Sequence, residues 1–382
     1  MGKLSGQYIL QPAGYRAFIP NPLPPNPPVK LGEELQFLLS QADRALARLD
    51  GISFVLPNPD LFVAMYVKKE AVLSSQIEGT QASLVDVLEF EAGARVPDKV
   101  EDVAEVVNYV KAMNHGLALL EELPMSLRLI KEIHAVLLEG VRGSDKTPGE
   151  FRRTQNWIGP PGALLKDASF VPPPADEVMK SMGDLEKFIH AATALPPLVK
   201  SAFIHSQFET IHPFLDGNGR IGRLLITFHL CWEKILGRPL LYLSYYFKRN
   251  RQEYYDRLNN VRENDDYESW IRFFLNGVVS VSEQATLTAR RIMALRESDQ
   301  GRLLGAGTTS PLAVVFLDKL FSYPIVSVSE VSRLLNTTYE TANSLVRKFE
   351  KANILRELTG KQRNRRYGYT DFLDIVAEGT KL

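Results

Sequence analysis

The sequence is poor in three features that often point to a function. It has a single cysteine, Cys231, among its 382 residues, which excludes an internal disulfide framework. Its 45 basic and 45 acidic side chains cancel, so no global charge draws the chain to nucleic acid or to an anionic membrane. No run is long and apolar enough to span a bilayer, and the start lacks the hydrophobic stretch of a signal peptide. These absences predict a cytoplasmic protein without a membrane partner.

One short segment carries most of the recognisable chemistry. Residues 212–223 read His-Pro-Phe-Leu-Asp-Gly-Asn-Gly-Arg-Ile-Gly-Arg and combine an imidazole, a carboxylate, a glycine-rich loop and two guanidiniums. Gly217 and Gly219 permit positive φ, so successive backbone N–H groups can converge on phosphate oxygens. Arg220 and Arg223 lie three residues apart, where both guanidiniums can reach the same phosphates. The segment therefore predicts a site for a polyphosphate.

Helices are expected on both sides of this segment. Apolar runs at about 198–211 and 221–236 predict one helix before the loop and one after it, with Gly237 and Pro239 ending the second. The loop then opens onto a helix N-terminus, which favours bound anions. Helical periodicity also dominates 31–190, so the sequence predicts a mainly α-helical fold.

The segment resembles the motif of the Fic (Fic/Doc, or Fido) family, His-x-Phe-x-Asp/Glu-Gly-Asn-Gly-Arg-x-x-Arg, and every fixed position is present. The resemblance implies a Fic helical core and transfer of AMP from ATP to a Ser, Thr or Tyr hydroxyl of a protein, with Mg²⁺ as cofactor. Glycine at position 217 favours AMP transfer, because the kinase-like toxins of this family carry a different residue there.

The resemblance also implies a role for each motif residue. The implied roles are general base for His212, core anchor for Phe214, Mg²⁺ ligand for Asp216, α-phosphate contacts for Gly217, Asn218 and Gly219, and β- and γ-phosphate contacts for Arg220 and Arg223. The reaction independently favours these residue types. An alcohol needs a base with a pKa near neutrality, and Mg²⁺ is commonly held by one or two carboxylates together with phosphate oxygens.

A second segment lies far upstream of the first. Residues 74–79 read Ser-Ser-Gln-Ile-Glu-Gly in a helical pattern that Gly79 is expected to end. They resemble the inhibitory motif Ser/Thr-x-x-x-Glu-Gly/Asn of certain Fic proteins. The resemblance implies that Ser74 and Glu78 belong to this motif and that Glu78 pairs with Arg223, which leaves ATP in an unproductive pose. The sequence alone also fits a surface carboxylate, and the same carboxylate could activate water to remove AMP from a target.

The stretch 149–174 breaks the helical pattern. Two short apolar arms flank Pro160-Pro161-Gly162 and predict a β-hairpin. In Fic proteins such a flap holds the target segment as an added strand, so the resemblance implies that the protein substrate docks here. An ordinary surface hairpin fits the sequence equally well.

Three further residues are candidates for contact with the nucleotide. Asn250 and Tyr254 lie in an aromatic-rich stretch, and a nucleobase needs an apolar slot with a few polar contacts. Gln207 lies shortly before His212. Aromatic residues at helical spacing are also typical of a protein core, so the base-binding role competes with a packing role.

The C-terminal part of the chain is expected to form a separate module. Helices are predicted at 310–318, from Ser327 and at 337–353, with a short strand before the second helix and a basic turn at 361–366. This order resembles a winged helix-turn-helix domain. Such domains place the third helix in the DNA major groove, but they also serve as docking or dimer surfaces for proteins.

These patterns predict four regions. They are an N-terminal helical region with a Pro-rich extended arm and an inhibitory helix at about 61–79 (1–120), a Fic catalytic core (121–280), a linker helix (281–309) and the winged-helix module (310–382). Three functions remain open on the sequence: a self-inhibited AMP transferase, a nucleotide-sensing DNA-binding regulator, and a Fic transferase that uses UTP, GTP or a phosphocholine carrier. The intact base at His212 argues against sensing alone. The resemblance is compatible with self-modification and with a homodimer.

Overall fold

The fold is dominated by α-helices, with two small antiparallel sheets. The computed structural model describes residues 3–55, 59–93, 99–160, 162–308 and 310–380. Within these ranges the elements are, in chain order, β1 (Gly6–Leu10), β2 (Arg16–Pro20), α1 (Glu33–Val55), α2 (Pro59–Ile77), α3 (Leu84–Glu91), α4 (Val100–Glu122), α5 (Leu127–Leu137), α6 (Ala175–His190), α7 (Pro197–Ile211), α8 (Asn218–Trp232), α9 (Ser244–Arg249), α10 (Arg251–Asn264), α11 (Tyr267–Gly305), α12 (Pro311–Leu320), β3 (Ile325–Val326), α13 (Val328–Leu334), α14 (Tyr339–Lys351), β4 (Arg356–Glu357), β5 (Tyr367–Gly368) and α15 (Thr370–Val376).

The central layer consists of α7 and α8, which pack against each other. Helices α6, α10 and α11 contact α7, while α2, α4 and α5 contact α8. Proline at the first turn starts α7 at low cost, since its missing N–H has no helical partner there. Every residue from Leu198 to Ile211 is buried, so α7 is covered on all sides. The loop between α7 and α8 is therefore anchored in the core at both ends.

Helix α2 ends where the sequence predicted. Gly79 has a φ of 100°, which an L-residue with a side chain rarely adopts. The chain then turns into α3, which a capping box starts: Oγ of Ser83 accepts from the backbone of Asp86, whose carboxylate accepts from the N–H of Ser83. These two signals fix the position of Glu78 just beyond the last residue of α2.

Helix α8 ends earlier than the sequence predicted. It stops at Trp232 and does not reach Leu236, because Lys234 takes a left-handed φ of 58°. The N–H of Ile235 then bonds to the carbonyl of Leu230 at 2.9 Å and closes the helix in a Schellman-type end.

The predicted flap contains much less β-structure than expected. Its two arms meet in one antiparallel bridge, Ile158 with Phe170, and a short 3-10 turn lies between them. Pro161, in the expected turn, lies outside the described residues. The N-terminal hairpin β1–β2, which the sequence analysis missed, pairs in register Tyr8 with Phe18. Phe18 also donates its N–H to Val171 at 2.9 Å, so the flap is covered by a strand from the N-terminus.

Helix α11 crosses one of the predicted domain boundaries. It runs for 39 residues from Tyr267 to Gly305 without a break at 280/281. Buried residues continue across this point at Val278, Val281 and Ala285, and α11 packs along α1. A single helix therefore joins the predicted core and the predicted linker.

The C-terminal module has the element order that the sequence predicted. Helix α12 precedes β3, and Ser327 then starts α13 through a capping box with Glu330. The three strands form an antiparallel sheet in the order β3-β5-β4. Helix α14 contributes the buried side chains of Leu345, Val346 and Phe349 to the core. Among the described helices, none combines the length and the apolar character that crossing a bilayer requires.

Candidate functional site

The site is built on the loop of residues 212–217 between α7 and α8. His212, the first loop residue, has φ 49° and ψ 59°, which is unusual for a residue other than glycine. Gly217, the last, has φ 77°, and α8 begins at the next residue. The left-handed turn at His212 directs the chain out of α7, and the turn at Gly217 leads it into the first turn of α8.

Two side chains, the buried Arg152 and the half-buried Asn156, hold the strained backbone at His212. Nε of Arg152 donates to the His212 carbonyl at 2.9 Å, and Nδ2 of Asn156 donates to the same oxygen at 3.1 Å. Arg152 is 2% exposed and also bonds to the carbonyls of Pro173 and Ile211. Neither Arg152 nor Asn156 is predicted from the sequence, because neither belongs to the motif and both act over a long sequence separation.

The middle of the loop is fastened through Phe214, which is fully buried. Oδ1 of Asn218 accepts from the Phe214 N–H and Nδ2 of Asn218 donates to the Phe214 carbonyl, both at 2.8 Å. Nδ2 of Asn156 bonds to the same carbonyl at 2.9 Å. Asn218 therefore orders the loop with both polar atoms of its side chain. Its predicted contact with the α-phosphate stays a prediction.

His134 supports the loop from α5. Its ring stacks on Phe214 at 3.7 Å between centroids, with planes 6° apart. Nδ1 of His134 accepts from the N–H of Gly149 at 2.8 Å, so Nε2 must carry the proton that bonds to the Asp216 carbonyl at 3.0 Å. Burial lowers the pKa of His134 to about 4, which keeps the ring neutral. His134 therefore supports the loop as a neutral ring that stacks and hydrogen-bonds.

The predicted general base faces a different environment. Burial, together with the charges of Arg262 and Arg152, lowers the pKa of His212 to about 4. Its Nδ1 is buried, lies 3.8 Å from Oε2 of Glu209 and makes no hydrogen bond among the described residues. The side chain as a whole keeps 20% of its surface exposed. The imidazole is therefore neutral near pH 7 and able to accept a proton.

The predicted metal ligand lies at the open end of the loop. The Asp216 side chain is 36% exposed, and its Oδ1 accepts from the N–H of Gly217 at 2.6 Å. Among the described residues, no group of three or more His, Cys, Asp or Glu side chains could hold an ion by itself. A single exposed carboxylate suits Mg²⁺, which takes its other ligands from phosphates and water.

Arg220 lies beneath the loop. Its side chain is 1% exposed, with one nitrogen 3.5 Å from Oδ1 of Asp216 and another 3.5 Å from Oε2 of Glu105. Glu105 also accepts from Thr80 and pairs with Arg142 at 3.1 Å. Nε of Arg220 has no hydrogen-bond partner in the described part of the chain. Glu105, which sequence analysis did not identify, thus holds Arg220 beside the loop.

Arg223 is bound to the segment that resembles an inhibitor. Its Nε donates to Oγ of Ser74 at 2.8 Å, and its Nη2 donates to the Ser74 carbonyl at 3.0 Å and to Oε1 of Glu78 at 2.7 Å. The Arg223 side chain is 2% exposed, whereas that of Glu78 is 31% exposed. The structure therefore joins two segments that lie 145 residues apart.

The ionisation of this pair follows from its geometry. Burial alone would raise the pKa of Glu78, but the charge and hydrogen bond of Arg223 hold it below its ordinary value. Burial alone would lower the pKa of Arg223, but the charge of Glu78 raises it. Both groups are charged at neutral pH. A Cβ at Gly219 would overlap Oε1 of Glu78, so the carboxylate lies directly on the backbone of the first turn of α8.

The end of α2 is also held by the C-terminal segment. Nε2 of Gln76 donates to the carbonyls of Ala82 and Thr380, both at 2.9 Å. Nζ of Lys248 donates to Oε1 of Gln76 at 2.6 Å. Gln76 lies two residues before Glu78, so these contacts fix the backbone that carries the carboxylate.

The three candidate nucleotide contacts are engaged within the protein. Tyr254 is 1% exposed, and its hydroxyl bonds to Nε2 of His205 at 2.8 Å. Nε2 of Gln207 donates to the carbonyl of Asn21 at 2.9 Å, and Nδ2 of Asn250 donates to the carbonyl of Tyr246 at 2.9 Å. The structure uses Tyr254 as a core residue. The base-binding roles of these three residues stay predictions, as does target docking on the flap.

The chain is similar in sequence to proteins of one family. Models described as "Fic/DOC family N-terminal" and "Fic/DOC family" match residues 37–118 and 124–230. The protein adenylyltransferase Fic of Drosophila grimshawi is 29% identical over 227 residues, 57% of this chain and 42% of the relative. That of Drosophila persimilis is 28% identical over 57% of this chain and 40% of the relative. The chain thus spans less than half the length of these curated relatives.

A solved structure extends the likeness of fold. A Fic family protein from Desulfovibrio desulfuricans G20 superposes with a TM-score of 0.61 at 20% identity, over 90% of this chain and 97% of that one. This similarity concerns the fold alone, and it reaches beyond the two matched segments.

Proposed function

The chain belongs to the Fic/DOC family, and on that premise we propose that it is a protein adenylyltransferase. It would move AMP from ATP to a Ser, Thr or Tyr hydroxyl of a protein and release pyrophosphate. The observation that carries the proposal is the arrangement of one loop, which sets the neutral His212 at one end and the first turn of α8 at the other. In the proposed enzyme the base and the anion site lie at opposite ends of the six-residue loop 212–217.

In the proposed reaction the attacking hydroxyl loses its proton to His212. The hydroxyl oxygen forms a bond to the α-phosphorus while the bond from that phosphorus to the pyrophosphate oxygen breaks. Arg152 and Asn156 position the imidazole through its own backbone carbonyl. With a pKa of about 4 the His212 ring is unprotonated before the reaction begins and can accept the proton, but it is a weaker base than an ordinary imidazole.

The phosphates would bind at the N-terminus of α8. The backbone N–H groups there favour anions, and Arg223 follows in the second turn of the helix. Asp216 would hold Mg²⁺, which when bound supplies positive charge to the phosphate oxygens. Transfer of this kind depends on positioning and on fixed positive charge, which these residues provide.

Glu78 would restrain the enzyme by taking the place of a phosphate. Its carboxylate is an anion at the N-terminus of α8, in contact with Gly219 and Arg223, where the proposal puts the γ-phosphate. ATP must displace it or bind with its γ-phosphate elsewhere, which disturbs in-line attack. The chain in this conformation is therefore the inhibited form of the proposed enzyme.

The test is the intact mass of the protein after incubation with Mg²⁺ and one nucleotide at a time: ATP, GTP or UTP. We expect Glu78→Gly to gain AMP on its own hydroxyls from ATP, and Glu78→Gly/His212→Ala to gain nothing. If GTP or UTP modifies the protein more than ATP does, that nucleotide and not ATP is the donor. An adduct of unchanged amount in the double variant would refute the role of His212.

A further inference from the structure

A basic surface lies on the C-terminal module, away from the loop site. It consists of Arg347, Lys348 and Lys351 on α14, and Lys361 and Arg363 in the β4–β5 loop. All five residues are exposed. None of their side chains forms an ion pair or hydrogen bond with a described residue, so their charges are free to meet an external anion.

The basic surface includes the second helix of a helix-turn-helix arrangement. Helices α13 and α14 are joined by a turn at 335–338, and Thr338 caps α14 by accepting the N–H of Thr341. The exposed side of α14 is one continuous stripe, at positions 339, 340, 341, 344, 347, 348 and 351. Because these positions recur every three or four residues, α14 presents a whole face to solvent.

A groove of about 640 Å³ separates α14 from the β4–β5 loop. Tyr339, Asn343, Arg347 and Glu350 line it from α14, and Arg363 and Arg365 line it from the loop. Tyr339, at the start of the helix, is 54% exposed. The groove thus has hydrogen-bonding and aromatic groups at the helix start and cations farther along the helix and on the loop.

We propose that this surface binds duplex DNA, with α14 in the major groove and the β4–β5 loop on the phosphate backbone. An α-helix with its side chains is about 10–12 Å wide, and the major groove is about 12 Å wide. Tyr339, Thr341 and Asn343, near the N-terminus of α14, lie where a helix-turn-helix reads base edges. Arg347, Lys348 and the loop cations lie where they would contact phosphates.

The acidic residues of the module leave this surface positive. Glu340 and Glu350 lie on α14, against three cations of the same helix. Glu357 is engaged in the β4–β5 loop itself, where its carboxylate accepts from the N–H groups of Thr359 and Gly360 at 2.9 and 2.8 Å. The net charge of the α14 side and the loop is therefore favourable for a polyanion.

The shape favours duplex DNA over other polyanions. The major groove of an RNA duplex is too narrow for a helix, so RNA would leave α14 without a place to insert. Peripheral binding to an anionic membrane depends on apolar side chains that enter the lipid. The exposed stripe of α14 has charged and hydroxyl-bearing side chains and no aliphatic side chain at its seven positions, and the β4–β5 loop adds one large exposed aliphatic side chain, Leu358.

The test uses the full chain and a fluorescent, mixed-sequence DNA duplex of about two helical turns. Anisotropy is measured over a series of salt concentrations. The variant is Arg347→Ala/Lys348→Ala/Lys351→Ala, and Lys361→Ala/Arg363→Ala tests the loop independently. The control, Arg128→Ala/Lys180→Ala/Lys187→Ala, removes three cations that are 73%, 71% and 81% exposed on α5 and α6.

We expect the wild type to bind with a dissociation constant on the order of 1–100 µM or tighter, and the α14 variant to bind at least about tenfold more weakly. The slope of log affinity against log salt should fall by about three in that variant and by about two in the loop variant. The control should match the wild type.

Three results would overturn the proposal. They are an absence of DNA binding by the wild type, an equal loss in the control variant, and binding to an RNA duplex or to anionic vesicles that is tighter than to DNA and equally sensitive to the α14 substitutions. Since all substituted residues are exposed, thermal unfolding should be unchanged in each variant, which separates lost binding from lost folding.

Discussion

Removing the Glu78 carboxylate should free Arg223 for the γ-phosphate of ATP. In the structure Arg223 makes two hydrogen bonds to Ser74 and one to Glu78. Of these acceptors only the Glu78 carboxylate is an anion, so only it competes with a phosphate for the guanidinium. Glu78 lies beyond the last residue of α2, so Glu78→Gly removes the anion without breaking a helix. The bonds to Ser74 remain and keep the guanidinium in place.

The size of the effect follows from the contact that is lost. A hydrogen bond between charged groups contributes about 1.5–3 kcal/mol. Glu78 is 31% exposed, so water screens the pair and the lower part of this range applies, about 1.5–2 kcal/mol. Because 1.4 kcal/mol is a factor of ten, affinity for ATP should rise about 10- to 30-fold.

The assay is calorimetric titration in a His212→Ala background, which prevents turnover during the measurement. His212→Ala and Glu78→Gly/His212→Ala are each titrated with ATP and with AMP in the presence of Mg²⁺. ATP should bind more tightly in the double variant. AMP should bind with similar affinity in both, since it has no γ-phosphate to reach Arg223. Glu78→Gln is the matched control and should show a smaller gain, because its amide oxygen can still accept from Arg223.

Two outcomes would refute this reasoning. If ATP and AMP gain affinity equally, Glu78 does not exclude the γ-phosphate. If neither gains, the contact between Glu78 and Arg223 does not compete with the nucleotide at all.

Three further predictions follow from the same geometry. Because burial lowers the pKa of His212 to about 4, the rate of AMP transfer by Glu78→Gly should be constant from about pH 5.5 to 8 and should fall only as His212 is protonated toward pH 4. An inflection of the rate near pH 6.5 would contradict this. Arg152→Ala leaves buried carbonyls without donors, so the free energy of unfolding measured with urea should fall by about 3 kcal/mol, and by less in Arg152→Lys. A fall of less than about 1 kcal/mol in Arg152→Ala would contradict this role. Gln76→Ala removes the hydrogen bonds to Ala82 and Thr380, so it should raise the rate of AMP transfer part of the way to that of Glu78→Gly and speed amide hydrogen exchange at the end of α2. A Gln76→Ala transfer rate equal to that of the wild type, beside an active Glu78→Gly, would contradict this.

The parts of the structure that the sequence predicted are governed by local chemistry. Gly79 ends α2 because the backbone there needs a positive φ, and Ser327 starts α13 because its side chain caps the helix. The motif at 212–223 also identified the loop, since two glycines and two arginines at fixed spacing are visible without a structure. The resemblance led to Glu78, and the structure places its carboxylate 2.7 Å from Arg223.

The parts that the sequence could not supply depend on distant contacts. Arg152 reaches a carbonyl 60 residues away, and Arg220 contacts Glu105 over 115 residues. No periodicity or motif marks such partners. Tyr254 shows a different difficulty, since an aromatic residue with a polar tip fits a base-binding slot as well as a core. The structure buries it with its hydroxyl bonded to His205, and its base-binding role stays a prediction. The end of α8 was misplaced because Lys234 adopts the left-handed turn that glycine usually provides.

The most direct test of the proposed activity follows the phosphates of ATP separately. Glu78→Gly is incubated with Mg²⁺ and with ATP labelled either at the α-phosphate or at the γ-phosphate. We expect the α-phosphate label to enter the protein and the γ-phosphate label to leave as pyrophosphate. His212→Ala in the same background should stop both the incorporation and the release. Entry of the γ-phosphate label into the protein would contradict adenylyl transfer and would make the enzyme a kinase.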